Sequence, residues 1–256
     1  MSYKYKESLL DICWALLLVS LPVTSFTPLS RLFGGTSVAP LSAIFLSVLA
    51  ILYFLPHFIK TKLVPIHSLP ILVFFLITLL TFAMSTFIPF ESFRDASFFR
   101  NAFEGFVTLA MGIGFYLITI FVIRDEKSLK KTIYWIYVGS IIIIFTSLLQ
   151  AISWQFLGYY PQFLWNIQSI FSSRGMLFEN RVTGMAFEPS WLAHQLNTLY
   201  IPLWLGFSVK NISISKKRIF GILSLENILL VLGLGVLFLS FSRIGWLTTL
   251  VVFAFV

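Results

Sequence analysis

One cysteine, three histidines and ten acidic residues are all that 256 positions supply of the side chains that most often bind metals or move protons. The lone Cys13 cannot close a disulfide within the chain, and a thiolate metal cluster is excluded with it. Charged residues make up only 11% of the chain, too few to solvate the surface of an ordinary globular domain. There is no internal repeat, no low-complexity tract and no polar stretch long enough for a soluble domain. The net charge is +8, yet the basic residues are divided among separate connections, so no patch suited to nucleic acid forms. Gly233 and Gly235 follow no strand and are not a nucleotide loop; within an apolar run they suit close helix packing.

What is present is apolar. Hydrophobic residues are 58% of the chain, 29 of them phenylalanine, and the mean hydropathy is +0.93. A helix needs about 20 largely apolar residues to cross a bilayer. Runs of that kind lie at about residues 9–28, 38–58, 69–88, 103–123, 132–156, 185–208 and 222–241, with an eighth starting near 244. They are too uniform for barrel strands, which alternate over about ten residues. The expectation is an all-α, polytopic transmembrane bundle of about seven to eight helices, one membrane unit over 1–256. The first run follows Lys4 and Lys6 but contains Asp11 and leads to no small-x-small cleavage site, so it reads as a retained helix. The last, Ile244 to Val256, is too short to span, and the chain reads as incomplete at its C-terminus.

Cytoplasmic connections collect Lys and Arg. Applied here, the rule assigns Lys4, Lys6, Lys60, Lys62, Arg124, Lys127, Lys130, Lys131, Lys210, Lys216, Lys217 and Arg218 to the inside, with the N-terminus cytoplasmic. Arg31, Arg94, Arg100, Arg174, Arg181 and Arg243 fall outside. All ten lysines are inward and every outward basic residue is arginine, whose planar fork clamps phosphate or carboxylate with two parallel bonds. An outward anion site is one explanation; inward lysine bias acting on a small sample is the other. A second outward cluster, Glu91, Arg94, Asp95, Arg100 and Glu104, balances its own charge and reads as a solvated loop with internal pairs; the alternative is that Arg94 or Arg100 supplements an anion site.

Two stretches carry the rest. In the outward loop of about 157–184, Phe163, Leu164, Ile167, Ile170 and Phe171 recur at near-helical spacing, which suits an amphipathic segment on the membrane surface with Trp165 among the headgroups. It would keep Arg174, Glu179 and Arg181 close to the bilayer. The sixth run then opens with Glu188, Pro189 and Ser190 inside its first turns, with Arg181 the natural partner of Glu188. A capping role for Glu188 is the plainer alternative. Gln195 follows seven positions later on the same helical face, and His194 lies on the adjoining one. The second stretch, Ser240-Phe-Ser242-Arg243-Ile-Gly245-Trp246, confines Arg243 between two apolar runs, with Gly245 allowing a reversal or close packing. Arg243 as a snorkelling anchor is the competing reading.

Arg181-Val-Thr-Gly184, Phe187-Glu188-Pro189-Ser190 and Ser240-Phe-Ser242-Arg243-Ile-Gly245-Trp246-Leu247 together resemble the O-antigen ligase and polymerase superfamily of multi-pass bacterial envelope proteins. The resemblance implies a helical bundle in the bacterial cytoplasmic (inner) membrane with its active face outward. It implies transfer of glycan from an undecaprenyl-pyrophosphate carrier to an acceptor glycan or lipid, without metal or cofactor. Arg181 and Arg243 would grip the pyrophosphate, with Arg174, His194, Gln195 and Ser242 as further substrate-binding candidates. Glu188 is the catalytic candidate, as orienter of Arg181 first and as base second, since an ion pair weakens a carboxylate as a base. Relatives continue beyond the Ser-Arg element into a large outward loop with a further histidine, which this chain does not contain; His57 and His67, assigned to the inside, do not replace it. The alternative is a transporter or flippase of an anionic lipid or small acid, which calls for ionisable residues and broken helices near the bilayer midplane.

Overall fold

A computed structural model describes residues 3–61, 66–85, 87, 98–214 and 224–254, and of residues 3–7 and Arg100 the backbone alone. Among these residues every regular element is a helix. They are α1 (Tyr3–Val19), α2 (Thr27–Leu32), α3 (Ser42–Thr61), α4 (Ile66–Ser85), α5 (Phe98–Val122), α6 (Glu126–Leu157), α7 (Gln162–Phe171), α8 (189–209), α9 (Leu225–Leu239) and α10 (Arg243–Ala254). Extended backbone pairs only at isolated bridges, Ser25 with Ala39 and with Ser172, and Phe178 with Arg181.

Four helices, α3, α4, the 101–122 portion of α5, and α6, are long and apolar enough to cross a membrane. Their surfaces agree with that composition. No residue of the Leu69–Ser85 part of α4 is buried, and Val73, Phe74, Ile77 and Leu80 stand about half-exposed, an apolar face that water would not tolerate but acyl chains would. The apolar part of α1, Ser8–Val19, and α9 and α10 are shorter.

The first helix ends at Val19 and not near 28, because Pro22 has no N–H to continue the ladder and disfavours helix at Leu21. The chain turns through Leu21 N to Leu18 O and Val23 N to Ser20 O, then runs extended, with Phe26 N donating to Ala39 O at 2.7 Å. In α6 the helix starts earlier than its apolar run. Asp125 Oδ1 accepts from Ser128 N at 2.7 Å while Ser128 Oγ accepts from Asp125 N at 3.1 Å, a reciprocal box that satisfies donors at both ends of the first turn. Ser224 caps α9 in the simpler way, its side chain accepting from Asn227 N at 3.3 Å.

The helices form two compact units, Met1–Leu17 with Ala43–Leu129, and Leu18–Ser42 with Lys130–Val256. In the first, α4 and α5 pack through Phe75 on Phe106 and Phe82 on Phe99 and Phe106, while Phe54 of α3 meets Phe121 of α5 edge-on. In the second, α6, α8 and α9 share a core in which Ile143, Leu192, Tyr200, Trp204 and Val236 are fully buried or nearly so. Gly233 faces the Trp204 ring, and a Cβ there would collide with Cζ3, so α8 and α9 approach at that point as closely as a glycine permits. Gly235 faces open space. A π-helical turn, Leu196–Tyr200, interrupts α8 where Asn197 turns inward toward α10.

Candidate functional site

The two stretches singled out in the sequence meet in the second unit. The amphipathic segment forms α7, burying Leu164 and Gln168 and exposing Phe163, Trp165 and Ile170. Where α7 ends, Ser173 N donates to Ser25 O at 2.7 Å and the two hydroxyls meet at 2.6 Å, so the chain leaves the helix fixed to the 20–41 connection. Arg174 follows at once. Residues Phe178–Arg181 then make a tight turn with Asn180 at φ 55°, a left-handed position that asparagine tolerates. Trp154 Nε1 donates to Asn180 Oδ1, and Tyr160 OH donates to Phe178 O at 2.7 Å.

Burial and, after it, the nearby Glu179 charge push the Tyr160 phenol up to about 12 from an ordinary 10.0. Between those values the unfolded chain releases the phenolic proton and the folded chain keeps it, so stability falls as pH rises from about 10 to about 12. Thermal melts across that window are expected to lose this slope in Tyr160→Phe, which also drops at neutral pH by the lost bond to Phe178 O.

Arg181 does not pair with Glu188. The turn directs its Nε to Ser240 O at 3.1 Å, at the C-terminus of α9, where unpaired carbonyls favour a cation. Val182 N bonds Leu239 O beside it at 3.1 Å. The partner of Glu188 is Arg174, and Ser190 Oγ donates to the second carboxylate oxygen at 3.3 Å. Arg174 also lies over the rings of Phe178 and Phe187, at 5.1 and 5.5 Å, and Arg181 lies 5.9 Å from the Phe178 centroid. Phe178 is therefore an apolar ring shared by two guanidinium groups, each contact worth about 0.5–1 kcal/mol where solvent reaches it.

Glu188 stands just before α8 and not inside it. Its backbone is extended, its carbonyl takes Trp191 N and Leu192 N, and its side chain makes no capping bond. Pro189 is the first helical residue, where its missing donor costs nothing. Gln195 donates to Leu21 O at 2.7 Å, and its Oε1 has no partner among the described residues. The ring of His194 is on an exposed part of α8 and makes no hydrogen bond or ion pair with described residues.

At the other stretch Ser242 is buried and caps α10, its oxygen accepting from Gly245 N at 3.2 Å. Ser240 accepts from Ser242 N at 3.3 Å and donates to Leu237 O at 2.7 Å. Arg243 opens α10, exposed, with no ion pair or hydrogen bond to a described residue. Since Arg181 bonds Ser240, two arginines distant in sequence flank the 240–243 corner. Of the balanced outward cluster, Glu91, Arg94, Asp95 and the side chain of Arg100 lie outside the described residues, as do Lys62, Lys216, Lys217 and Arg218; Glu104 lies half-buried on α5.

Two residues that sequence reasoning missed hold this site together. Gln150, buried in α6, accepts from Thr183 N and Gly184 N at 2.9 Å each and donates to Gly184 O at 2.8 Å. Asn197 donates to Gly245 O and Thr248 Oγ1 at 2.7 Å and accepts from Thr249 Oγ1 at 2.8 Å, tying α8 to α10. Both are amides inside apolar runs, and that alone is the signal that marks them. The groups at hand, three arginines, the Phe178 ring, a half-exposed carboxylate and the donor end of α10, are of the kind that suits an anion. Compared with known protein families, curated proteins and solved structures, the chain matches none.

Proposed function

We propose that the chain is a multi-pass enzyme of the bacterial cytoplasmic membrane, of the O-antigen ligase and polymerase kind. It moves glycan from an undecaprenyl-pyrophosphate carrier to an acceptor glycan or lipid at the outer face. In this reading α1, α8, α9 and α10 join the four long helices to give seven to eight spans, with the N-terminus cytoplasmic and both arginine stretches outward. The single observation that carries it is the bond of Arg181 to Ser240 O, which brings one arginine to the corner where Arg243 opens α10.

The chemistry suits those groups. As the bond from the anomeric carbon to the carrier's phosphate oxygen breaks, negative charge gathers on the pyrophosphate. The Arg181 guanidinium, held by Ser240 O, and the N-terminal end of α10 stabilise that charge without rearranging, and the exposed Arg243 is free to join them. The transporter alternative gains little from Glu226, the fully buried carboxylate at the start of α9. Its oxygens accept from Ser213 Oγ at 2.8 Å and Ile214 N at 2.9 Å, which fastens a connection.

The test is transfer in vesicles by the intact protein, using a lipid-pyrophosphate-linked glycan as donor. Arg181→Lys and Arg243→Lys are each expected to lower turnover about tenfold, because lysine keeps the charge and loses the two-pronged geometry. Turnover unchanged in both would leave them as snorkelling anchors and remove the pyrophosphate site from this reading.

A further inference from the structure

Arg174 and Glu188 hold each other, although each is a group the proposed transfer could use. Both side chains are 34% exposed, within reach of a ligand. The backbone on each side is fastened: Ser173 to Ser25, Gly175 N to Ser172 O at 2.8 Å, and Phe187 N to Thr24 Oγ1 at 2.9 Å. A change of partner therefore needs only side-chain rotation. The Phe178 and Phe187 rings support the guanidinium through their faces, whichever anion its edge meets. Phosphate presents more charge to that edge than a carboxylate does, with the same two-oxygen geometry.

We infer that the Arg174–Glu188 pair is a latch opened by an anionic ligand: phosphate oxygens of the donor take Arg174, and the Glu188 carboxylate is released toward the acceptor. The inference rests on the pyrophosphate-carrier reading above. In the step it prepares, the acceptor oxygen bonds to the anomeric carbon as the carbon–oxygen bond to the carrier breaks. The electron pair of that bond leaves on the pyrophosphate, and the hydroxyl proton goes to Glu188. The carboxylate becomes an available base only when a donor is present, which orders donor before acceptor. Ser190, bonded to the other oxygen of Glu188, keeps the carboxylate in place as Arg174 leaves it.

The experiment is a titration of the intact protein in lipid nanodiscs with inorganic pyrophosphate and with a short-chain prenyl pyrophosphate at fixed ionic strength. A partly exposed ion pair is a modest competitor, so Glu188→Gln is expected to bind about fivefold tighter than the unmodified protein. Arg174→Gln is expected to bind about fivefold more weakly, and the double variant to match Arg174→Gln alone. A gain of affinity cannot arise from misfolding, so Glu188→Gln decides the matter even where Arg174→Gln does not fold. If Glu188→Gln binds no tighter while Arg181→Lys and Arg243→Lys still weaken binding, the latch is overturned and the carrier reading stands. If the unmodified protein binds neither probe, both fall.

Discussion

Gln150→Leu is expected to destabilise the second unit by about 3–4 kcal/mol and, on the proposed reading, to abolish transfer. Gln150 is 3% exposed, and its amide meets three backbone groups of Thr183 and Gly184, with Thr183 Oγ1 as a fourth contact at 3.3 Å. Leucine fills a similar volume but bonds to none of them. Each buried backbone group left without a partner costs about 1–3 kcal/mol, and partial relaxation of the 183–184 segment brings the sum down to the value expected. The functional loss follows from position. Arg181 and Glu188 lie on either side of the clamped pair, so releasing it frees both ends of the site at once. Gln150→Glu is an intermediate case, since a carboxyl kept protonated by burial still accepts from the two N–H groups and keeps one donor for Gly184 O, at the cost of taking up that proton; it should fall between the leucine variant and the unmodified protein. Unfolding in mixed micelles measures the difference. A loss below about 1 kcal/mol for leucine would mean that water replaces the amide and that the turn is held by other contacts.

Much of this architecture is legible in the sequence because it depends on local composition. The length of apolar runs finds the helices, and a proline or a serine two or three positions away fixes where several of them begin and end. Pro22 explains the early end of α1, and the Asp125–Ser128 box explains the early start of α6. Contacts between distant segments have no such local mark. Arg181 is seven positions from Glu188 and Arg174 is fourteen, yet the farther one pairs, because the Phe178–Arg181 turn directs Arg181 toward the end of α9. Nothing in the spacing of charges encodes that turn. Ser242 shows a local role that the sequence did not name: it stands one residue before α10 and caps that helix. Gln150 and Asn197 stand in apolar helices, where a polar side chain is costly without a partner, and their sequence context points to a role without naming the partner.

Gly245→Ala is expected to cost about 2–3 kcal/mol, and Ala193→Gly in the same chain to restore most of it. A Cβ on Gly245 would lie 2.6 Å from Ala193 Cβ and 3.2 Å from Ser242 Cβ and Oγ, well inside carbon–carbon contact. Neither backbone can turn aside, since Asn197 bonds Gly245 O and Thr248 Oγ1 from the α8 side at 2.7 Å each. The helices must separate by about 1 Å to admit the methyl group, which strains those bonds and opens gaps around the core. Ala193→Gly alone is expected to cost about 1 kcal/mol from helix propensity. The double variant moves the methyl from one helix to the other, so its loss should be far smaller than the sum of the two single losses. Recovery of less than half would identify the Ser242 contacts, and not Ala193, as the obstacle; a Gly245→Ala protein as stable as the parent would show that α8 and α10 do not meet at this distance. The outcome bears on Arg243 directly. Within the Ser-Arg-x-Gly-Trp element, Ser242 caps the helix, Gly245 admits Ala193, and Trp246 packs against Phe238 and Phe241 at 5.7 and 6.2 Å. Arg243 is the member of that set with no described partner to account for its position, which leaves it available to a ligand at the corner Arg181 also reaches.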